Sequence, residues 1–178
     1  MVYVFLADGF EEIEALTPVD ILRRAGVDTV TVGVTGKIVT GAHGIKVESD
    51  IVIDDTVVDG LEMVVLPGGL PGADNLRAND RVKELTVTVA ENGGYVSAIC
   101  AAPRVLGELG LLKGKTAICY PGFEKYLMDA KIADSYVCRD GNIITAIGMG
   151  ASVDFALELV KALKGSAVSE KIAEGIFA

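Results

Sequence analysis

The chain has 178 residues, 51% of them hydrophobic and none of them tryptophan, and it carries a formal net charge of −9 at pH 7. These values predict one compact domain over residues 1–178, and the negative charge argues against nucleic acid and anionic membranes as partners. The three cysteines show neither a disulfide framework nor a metal-ligand spacing, and no apolar run approaches the ~20 residues of a membrane span. The cysteine spacing predicts no metal site. The start of the chain lacks the basic segment of a signal peptide, so we expect a cytoplasmic location.

The first part of the chain alternates between predicted strands and helices. Residues 2–7 form an apolar run that is typical of a buried parallel strand. Glu11 begins a helix that stops at Gly26, with acidic residues in its first turn, where the helix dipole favours them. A second strand is predicted over residues 28–34, and residues 39–47 indicate a small extended excursion.

The next predicted strand, residues 61–66, leads directly into Pro67-Gly68-Gly69. Backbone N–H groups in such a segment would lie at the carboxyl edge of the sheet, where ligands bind in open α/β sheets. Asn79-Asp80 then caps a predicted helix that runs to about residue 91. The glycine-rich segment is therefore a candidate part of a binding site.

A sharp connection follows, because the predicted strand before Cys100 turns into a helix without an intervening loop. Ala98 and Ala102 are small enough for such a crowded turn, and Pro103 suits the first turn of a helix. This pattern is typical of a nucleophile elbow with sulfur in place of the serine oxygen. Since N–H groups at a helix N-terminus favour a thiolate, we expect the pKa of Cys100 to lie below the usual ~8.5. The alternative is that Cys100 is a small buried hydrophobic residue, as most free cysteines are.

The rest of the chain predicts a helix after Cys100, a short strand, a short helix, a hairpin and two C-terminal helices. Their approximate ranges are residues 106–112, 116–120, 123–128, 136–146, 151–163 and 168–176. Asp140-Gly141 is the strongest hairpin signal in the chain. Alternating strands and helices predict an α/β fold with a doubly wound, mostly parallel sheet and helices on both faces, with the hairpin as the exception.

Several motifs together resemble one known family. They are Asp8-Gly9-Phe10-Glu11-Glu12-Ile13-Glu14, Pro18-Val19-Asp20, Arg23-Arg24-Ala25-Gly26, Leu66-Pro67-Gly68-Gly69 and Ala98-Ile99-Cys100-Ala101-Ala102-Pro103. Over essentially its whole length the chain resembles the ThiJ/PfpI superfamily, in its DJ-one/YajL-like branch. The resemblance implies a flavodoxin-like three-layer sandwich, in agreement with the pattern of predicted elements.

The resemblance also implies roles for four residues. Cys100 matches the family's oxidation-prone nucleophile, and Glu14 matches a carboxyl group that hydrogen-bonds it and is thought to be protonated. A carboxyl group beside a thiolate in a partly dry pocket should have a raised pKa, which fits that role. The backbone N–H groups of Gly69 and Ala101 match an oxyanion hole. Without the family pattern, Glu14 is better interpreted as a solvated acid of the first helical turn, like its acidic neighbours.

Three positions depart from patterns seen in relatives. Ala101 stands where protease-like and amidotransferase-like relatives carry a histidine, which argues against amide hydrolysis because the cysteine has no adjacent general base. Tyr120 stands where the human branch carries a histidine, so a mechanism that depends on that histidine is not expected here. His43 matches an arginine that reaches the partner subunit's pocket in relatives, although an exposed histidine without a role is an equal alternative. By position, Gly68 and Arg24 are further candidate pocket contacts.

Two functions from different classes remain open. The first is a cofactor-independent enzyme of the glyoxalase or deglycase type, in which Cys100 attacks methylglyoxal or its early adducts and Glu14 moves a proton. The second is a redox-sensing stress chaperone in which Cys100 is oxidised to sulfinic acid. Older family names suggest a thiamine-pathway role, which no residue supports. Apolar residues on the first helix, together with the resemblance, predict a homodimer.

Overall fold

In the computed structural model, residues 1–178 form a seven-stranded sheet with helices on both faces. The strands are β1 (Val2–Leu6), β2 (Thr29–Gly33), β3 (Ile38–Thr40), β4 (Lys46–Glu48), β5 (Ile51–Val52), β6 (Met63–Leu66), β7 (Tyr95–Ile99), β8 (Thr116–Ala117), β9 (Lys131–Ile132), β10 (Val137–Asp140) and β11 (Ile143–Ala146). The helices are α1 (Glu12–Arg24), α2 (Gly72–Ala78), α3 (Asp80–Glu91), α4 (Pro103–Glu108), α5 (Ser152–Lys164) and α6 (Ser166–Ile176). None of these helices has the length and apolar character that a membrane span requires.

The main sheet has the strand order β10-β11-β7-β6-β1-β2-β5. Every neighbouring pair in it is parallel except β10 and β11, which form the hairpin whose turn contains Gly141 at a φ of 64°. The predicted excursion is an antiparallel hairpin of β3 and β4, and β8 pairs with β9. The predicted doubly wound, mostly parallel sheet is therefore confirmed.

Alternate residues of the strands face two separate cores. In β1, Tyr3 and Phe5 belong to the core beneath α2, α3 and α4, whereas Val2 and Val4 belong to the core beneath α1 and α5. All four side chains are buried. A parallel strand covered on both faces must be apolar at successive positions, which explains the continuous apolar run at the start of the chain.

Several elements differ between the prediction and the structure. The helix after the elbow ends at Glu108, earlier than predicted, because the chain turns at Gly110, whose φ of 74° is left-handed. Helix α2 was not predicted, since it begins at a glycine in a segment rich in Pro and Gly. The short helix predicted near residue 125 is a 3₁₀ turn, Glu124–Tyr126.

The strand predicted over residues 116–120 is shorter than expected for a clear reason. Only Thr116 and Ala117 pair in it. The next N–H groups bond elsewhere, that of Ile118 to Thr145 Oγ1 at 2.9 Å and that of Tyr120 to the Cys100 carbonyl at 2.8 Å. These bonds remove the donors that a strand ladder would use, and they carry Tyr120 to the elbow instead.

The carboxyl ends of four adjacent strands meet at one edge of the sheet. β1 is followed by α1, β6 by Gly68, β7 by Cys100 and β11 by Gly148. Ligands bind at this edge in open α/β sheets. The fold thereby brings together segments that are distant in the sequence.

Candidate active site

Cys100 occupies a sharp turn between β7 and α4. Its φ of 63° lies in the left-handed region, which is uncommon for a residue with a side chain and clusters at functional sites. The turn is held by hydrogen bonds from the Cys100 N–H to the Ala146 carbonyl (2.9 Å) and from the Tyr120 N–H to the Cys100 carbonyl (2.8 Å). Ala98 and Ala102 are buried on either side, as a crowded elbow requires. The strand-to-helix turn expected from the sequence is present.

Glu14 approaches the elbow from the first turn of α1. Its side chain is 1% exposed, and the N–H groups of Gly68 and Met149 and the thiol of Cys100 all act on the pKa of its carboxyl group. The Gly68 N–H donates to Glu14 Oε2 at 3.0 Å. The Glu11 side chain caps the helix by accepting from the Glu14 N–H at 2.7 Å, which orients this turn.

Gly68 makes the meeting of Glu14 and Cys100 possible. A Cβ at this position would lie 2.5 Å from Glu14 Oε2 and 2.7 Å from Cys100 Cβ. Any larger residue would therefore separate the carboxyl group from the thiol. The role of Gly68 is to leave room for this pair.

The backbone N–H groups of Gly69 and Ala101 lie near enough to the Cys100 sulfur to lower the pKa of its thiol. Gly69 adopts a φ of 83°, and a Cβ there would overlap the Glu11 N–H and the Gly9 carbonyl. Only glycine can aim its N–H group in this conformation without clashing. The assignment of these two N–H groups as an oxyanion hole stays a prediction.

Burial raises the pKa of Glu14 to about 7, against the lowering effect of its hydrogen bond with Cys100. Burial and the Glu14 carboxylate raise the pKa of the Cys100 thiol to about 12, and the N–H groups of Gly69 and Ala101 lower it only in part. The expectation of a lowered pKa for Cys100 is therefore wrong. Two N–H groups at a helix end do not offset burial together with an adjacent carboxylate.

A raised pKa does not distinguish Cys100 from the other cysteines. Burial also raises the pKa of Cys119, to about 12, and that of Cys138. What sets Cys100 apart is geometry, because it combines a left-handed elbow, two N–H donors and a carboxyl partner. When Glu14 takes up a proton, its carboxylate no longer opposes ionisation of the thiol, so the titrations of the two groups are coupled.

Tyr120 lies at the mouth of the site, where its side chain is about half exposed. A cavity of about 450 Å³ beside it is also lined by Tyr136, Gly148 and Met149. A Cβ on Gly148 would lie 3.9 Å from Glu14 Oε1 and 3.4 Å from the Tyr120 ring. The contacts of Gly148 and Met149 with the site were not predicted, although a Gly-x-Gly segment directly after a strand was a signal that could have indicated them.

Arg24 and His43 lie outside this cluster. Arg24 is ~15 Å beyond Glu14 along α1, where it forms an exposed ion pair with Asp20 at 2.6 Å. The Nδ1 atom of His43 contacts Glu12 Oε2 at 2.8 Å. The structure thus does not bring Arg24 to Cys100 within one chain, and the reach of His43 into a partner's pocket stays a prediction.

The residues in contact with Cys100 include no set of metal ligands. Glu11, Glu12 and His43 alone have ligand atoms within 4.8 Å of one another, and Glu12 and His43 already bond to each other. The chemistry available at Cys100 is therefore that of sulfur, a carboxyl group and backbone donors. Together with the fold, this defines a class: an α/β protein with a cysteine on a nucleophile elbow and a buried carboxyl partner.

The comparisons with known proteins agree with this class. The model of the DJ-1/PfpI family matches residues 1–162, and the chain belongs to that family. It is 37% identical over 174 residues to the Parkinson disease protein 7 homolog of Danio rerio, which covers 95% of this chain and 92% of the relative. A relative from Pyrococcus abyssi that is named a deglycase is 29% identical over 165 residues, 92% of this chain and 99% of the relative. The structure of oxidized Toxoplasma gondii DJ-1 matches with a TM-score of 0.95 at 33% identity, covering 99% of this chain and 97% of that chain.

Proposed function

We propose that this protein is a cofactor-independent enzyme that converts a small reactive dicarbonyl, such as methylglyoxal or its early adducts, into a hydroxy acid. The observation that carries the proposal is the Cys100–Glu14 pair, a thiol and a carboxyl group with a pKa raised to about 7, beside two N–H donors. A carboxyl group that titrates near neutral pH suits general acid–base catalysis. The deglycase name of the Pyrococcus abyssi relative supports the same chemistry.

The proposed reaction begins with attack of sulfur on the aldehyde carbon. Glu14 takes the thiol proton, the Cys100 sulfur bonds to the aldehyde carbon, and the resulting oxyanion accepts hydrogen bonds from the N–H groups of Gly69 and Ala101. Glu14 then returns the proton to this oxygen, which gives a hemithioacetal.

The second stage moves hydrogen between neighbouring carbons. Glu14 removes the proton from the former aldehyde carbon and delivers it to the adjacent ketone carbon. The hydroxyl proton of the hemithioacetal passes to the ketone oxygen, so the ketone becomes a hydroxyl group and the former aldehyde carbon becomes a carbonyl. The product is a thioester of Cys100. Water hydrolyses the thioester and releases the hydroxy acid and the free thiol, so the net change is the addition of one water molecule.

Turnover of methylglyoxal by the purified protein tests the proposal. Wild type should release a hydroxy acid, whereas Cys100→Ser should release none above background. Cys119→Ser is the matched control, because Cys119 is buried and has no carboxyl partner of this kind. Absence of turnover in wild type, or its persistence in Cys100→Ser, would reject the proposal.

A second function, redox sensing by a stress chaperone, is favoured by one specific observation. Cys100 is partly exposed, and it faces N–H groups and a carboxyl group that could donate to sulfinate oxygens. The matched structure of Toxoplasma gondii DJ-1 is described as oxidized, which supports oxidation chemistry in this family member. Limited peroxide followed by peptide mass spectrometry should show sulfinate at Cys100 first. Earlier oxidation of Cys119 or Cys138 would contradict this.

We also propose that the chain is a cytoplasmic homodimer whose interface includes α1. A groove beside α1, of about 730 Å³, is lined mostly by apolar side chains, among them Ile13, Ile45 and Phe177. These three side chains are 49%, 55% and 99% exposed in the single chain. Exposed apolar residues that line one groove indicate an interface, whereas single ones scattered over a surface do not. Sedimentation should show a dimer for wild type and a monomer for Ile13→Glu; a monomeric wild type would contradict the interface.

A further inference from the structure

Arg104 is a buried charge close to the reactive cysteine. It lies on α4, one helical turn after Cys100, and is only 6% exposed. Buried arginines are rare unless their charge is paired. No step of the proposed reaction uses this residue, so its burial needs another explanation.

The Arg104 guanidinium contacts three side chains from two other segments. Its Nη2 atom forms an ion pair with Asp74 of α2. Its Cζ atom lies 5.7 Å from the centre of the Phe123 ring and 6.0 Å from that of the Tyr126 ring, within the range of cation–π contacts. The Nε atom is buried without a hydrogen-bond partner, so the ion pair and the two aromatic rings are the contacts that the guanidinium makes.

Each contacted segment carries a group of the Cys100 site. Helix α2 continues from the Gly69 segment, since the Ala73 N–H bonds to the Gly69 carbonyl at 2.9 Å. The turn with the two rings is joined to Tyr120, because the Phe123 N–H bonds to the Tyr120 carbonyl at 3.0 Å. The Tyr120 N–H in turn donates to the Cys100 carbonyl, and α4 begins two residues after Ala101.

We propose that Arg104 is a positioning residue for the Cys100 site, which clamps α4, α2 and the 120–126 turn so that the N–H groups of Gly69 and Ala101 stay aimed at the sulfur. It acts through the placement of these segments and does not touch the reacting atoms. The inference concerns the site on which the proposed function rests. Its test uses thiol chemistry, which does not require turnover.

The chain offers a matched control for this clamp. Arg77 of α2 and Glu108 of α4 form an ion pair at 3.0 Å between the same two helices. Their side chains are 44% and 34% exposed, and neither contacts Phe123 or Tyr126 in the way that Arg104 does. A substitution of Arg77 therefore loosens the same helix pair without removing the buried clamp.

The experiment measures the rate of alkylation of Cys100 by iodoacetamide between about pH 6 and pH 10, with peptide mass spectrometry to isolate this cysteine. Arg104→Met should slow alkylation by about tenfold or more across this pH range, because a displacement of about 1 Å at such a site can cost on the order of 100-fold. Arg104→Lys should stay below wild type, since an ammonium group cannot stack its plane on the rings. Asp74→Asn should show a smaller loss in the same direction, and Arg77→Met should match wild type.

An unchanged profile in Arg104→Met would overturn the inference, and so would an equal loss in Arg77→Met or full rescue by Arg104→Lys. If Arg104→Met does not fold, Asp74→Asn and Arg104→Lys decide, and wild-type profiles in both would overturn it. Turnover of methylglyoxal is measured in parallel. A wild type without turnover whose alkylation still depends on Arg104 would reject the proposed function and leave this inference intact.

Discussion

Two buried carboxyl groups lie two residues apart in the first turn of α1, and their pKa values move in opposite directions. Glu12 and Glu14 are 5% and 1% exposed. Burial raises the pKa of Glu14 to about 7. For Glu12 burial acts in the same direction, but hydrogen bonds from the His43 side chain and from backbone N–H groups lower the pKa on balance. The helix and the residue type are the same, but the Glu14 carboxyl group is desolvated more strongly, and the partners of the two groups differ.

The partners differ in what they can do for a negative charge. Glu12 faces His43, which can be positively charged, and accepts the His43 N–H at Oε1 (2.7 Å). Glu14 faces a thiol, which becomes negative when it ionises. Glu12 therefore holds the β3–β4 hairpin onto α1 as a carboxylate, whereas Glu14 can exchange a proton near neutral pH.

The largest expected effect is on activity. Glu14→Gln should reduce dicarbonyl turnover by about 100-fold or more, because the amide can donate a hydrogen bond but cannot accept a proton. Glu12→Gln should keep most of the activity, since Glu12 has no contact with Cys100. Rates of hydroxy acid formation by the two purified variants measure the contrast. Wild-type turnover in Glu14→Gln would show that Glu14 is not the base.

The next effect is on stability, and its sign should differ between the two variants. Glu14 has a higher pKa folded than unfolded, so wild type loses stability as pH rises from about 4.5 to about 7. The difference between the folded and unfolded pKa values lowers the free energy of unfolding by about 3 kcal/mol at pH 8. Glu14→Gln should restore roughly 1–3 kcal/mol of it. Below about pH 4.5 this gain should vanish.

Glu12→Gln should behave in the opposite way. The lowered pKa of Glu12 contributes stability above the unfolded value, and this contribution is lost as pH falls. The variant should therefore be less stable than wild type at neutral pH and closer to it in acid. Thermal unfolding at several pH values measures both variants; a gain of stability by Glu12→Gln at pH 8 would refute the assignment of the two partners.

The sequence indicated one of these carboxyl groups and not the other. Residues 2–7, the glycine-rich segment and the small residues around Cys100 follow local rules, so the order of strands and the elbow could be predicted. Glu14 needed the family pattern, because three acidic residues in one helical turn look alike. The contact between Glu12 and His43 joins positions 31 apart, and it depends on a hairpin whose position on α1 no local pattern specifies. The glycines could have indicated both contacts. A Cβ on Gly41 would overlap the Glu12 carboxylate, and a Cβ on Gly68 would overlap the Glu14 carboxylate.

A further effect concerns the thiol itself. Because the Glu14 carboxylate raises the pKa of Cys100, Glu14→Gln should move the pH profile of Cys100 alkylation to lower pH. Glu12→Gln is the control and should leave that profile in place. Iodoacetamide rates at Cys100 as a function of pH measure the shift. A profile displaced to higher pH would mean that the protonated carboxyl group stabilises the thiolate more than the carboxylate opposes it.

The smallest effect should come from His43, whose side chain is 72% exposed. Its pKa is raised by the hydrogen bond and the charge of Glu12, so the stability it contributes is full below the unfolded value of about 6.5 and is lost as pH rises through the folded pKa. His43→Ala should lower the Tm by about 1–2 °C near pH 6 and by less near pH 9, as an exposed pair allows. In a Glu12→Gln background the same substitution should lose this dependence on pH, because the charge partner is gone. Equal losses at both pH values, or a dependence that survives in the double variant, would mean that His43 does not pair with Glu12.

The pH profile of Cys100 alkylation in the same variants tests the other role predicted for this residue, its reach into the neighbouring subunit's site. If the profiles with and without His43 are identical, His43 is a partner of Glu12 alone and does not reach that site.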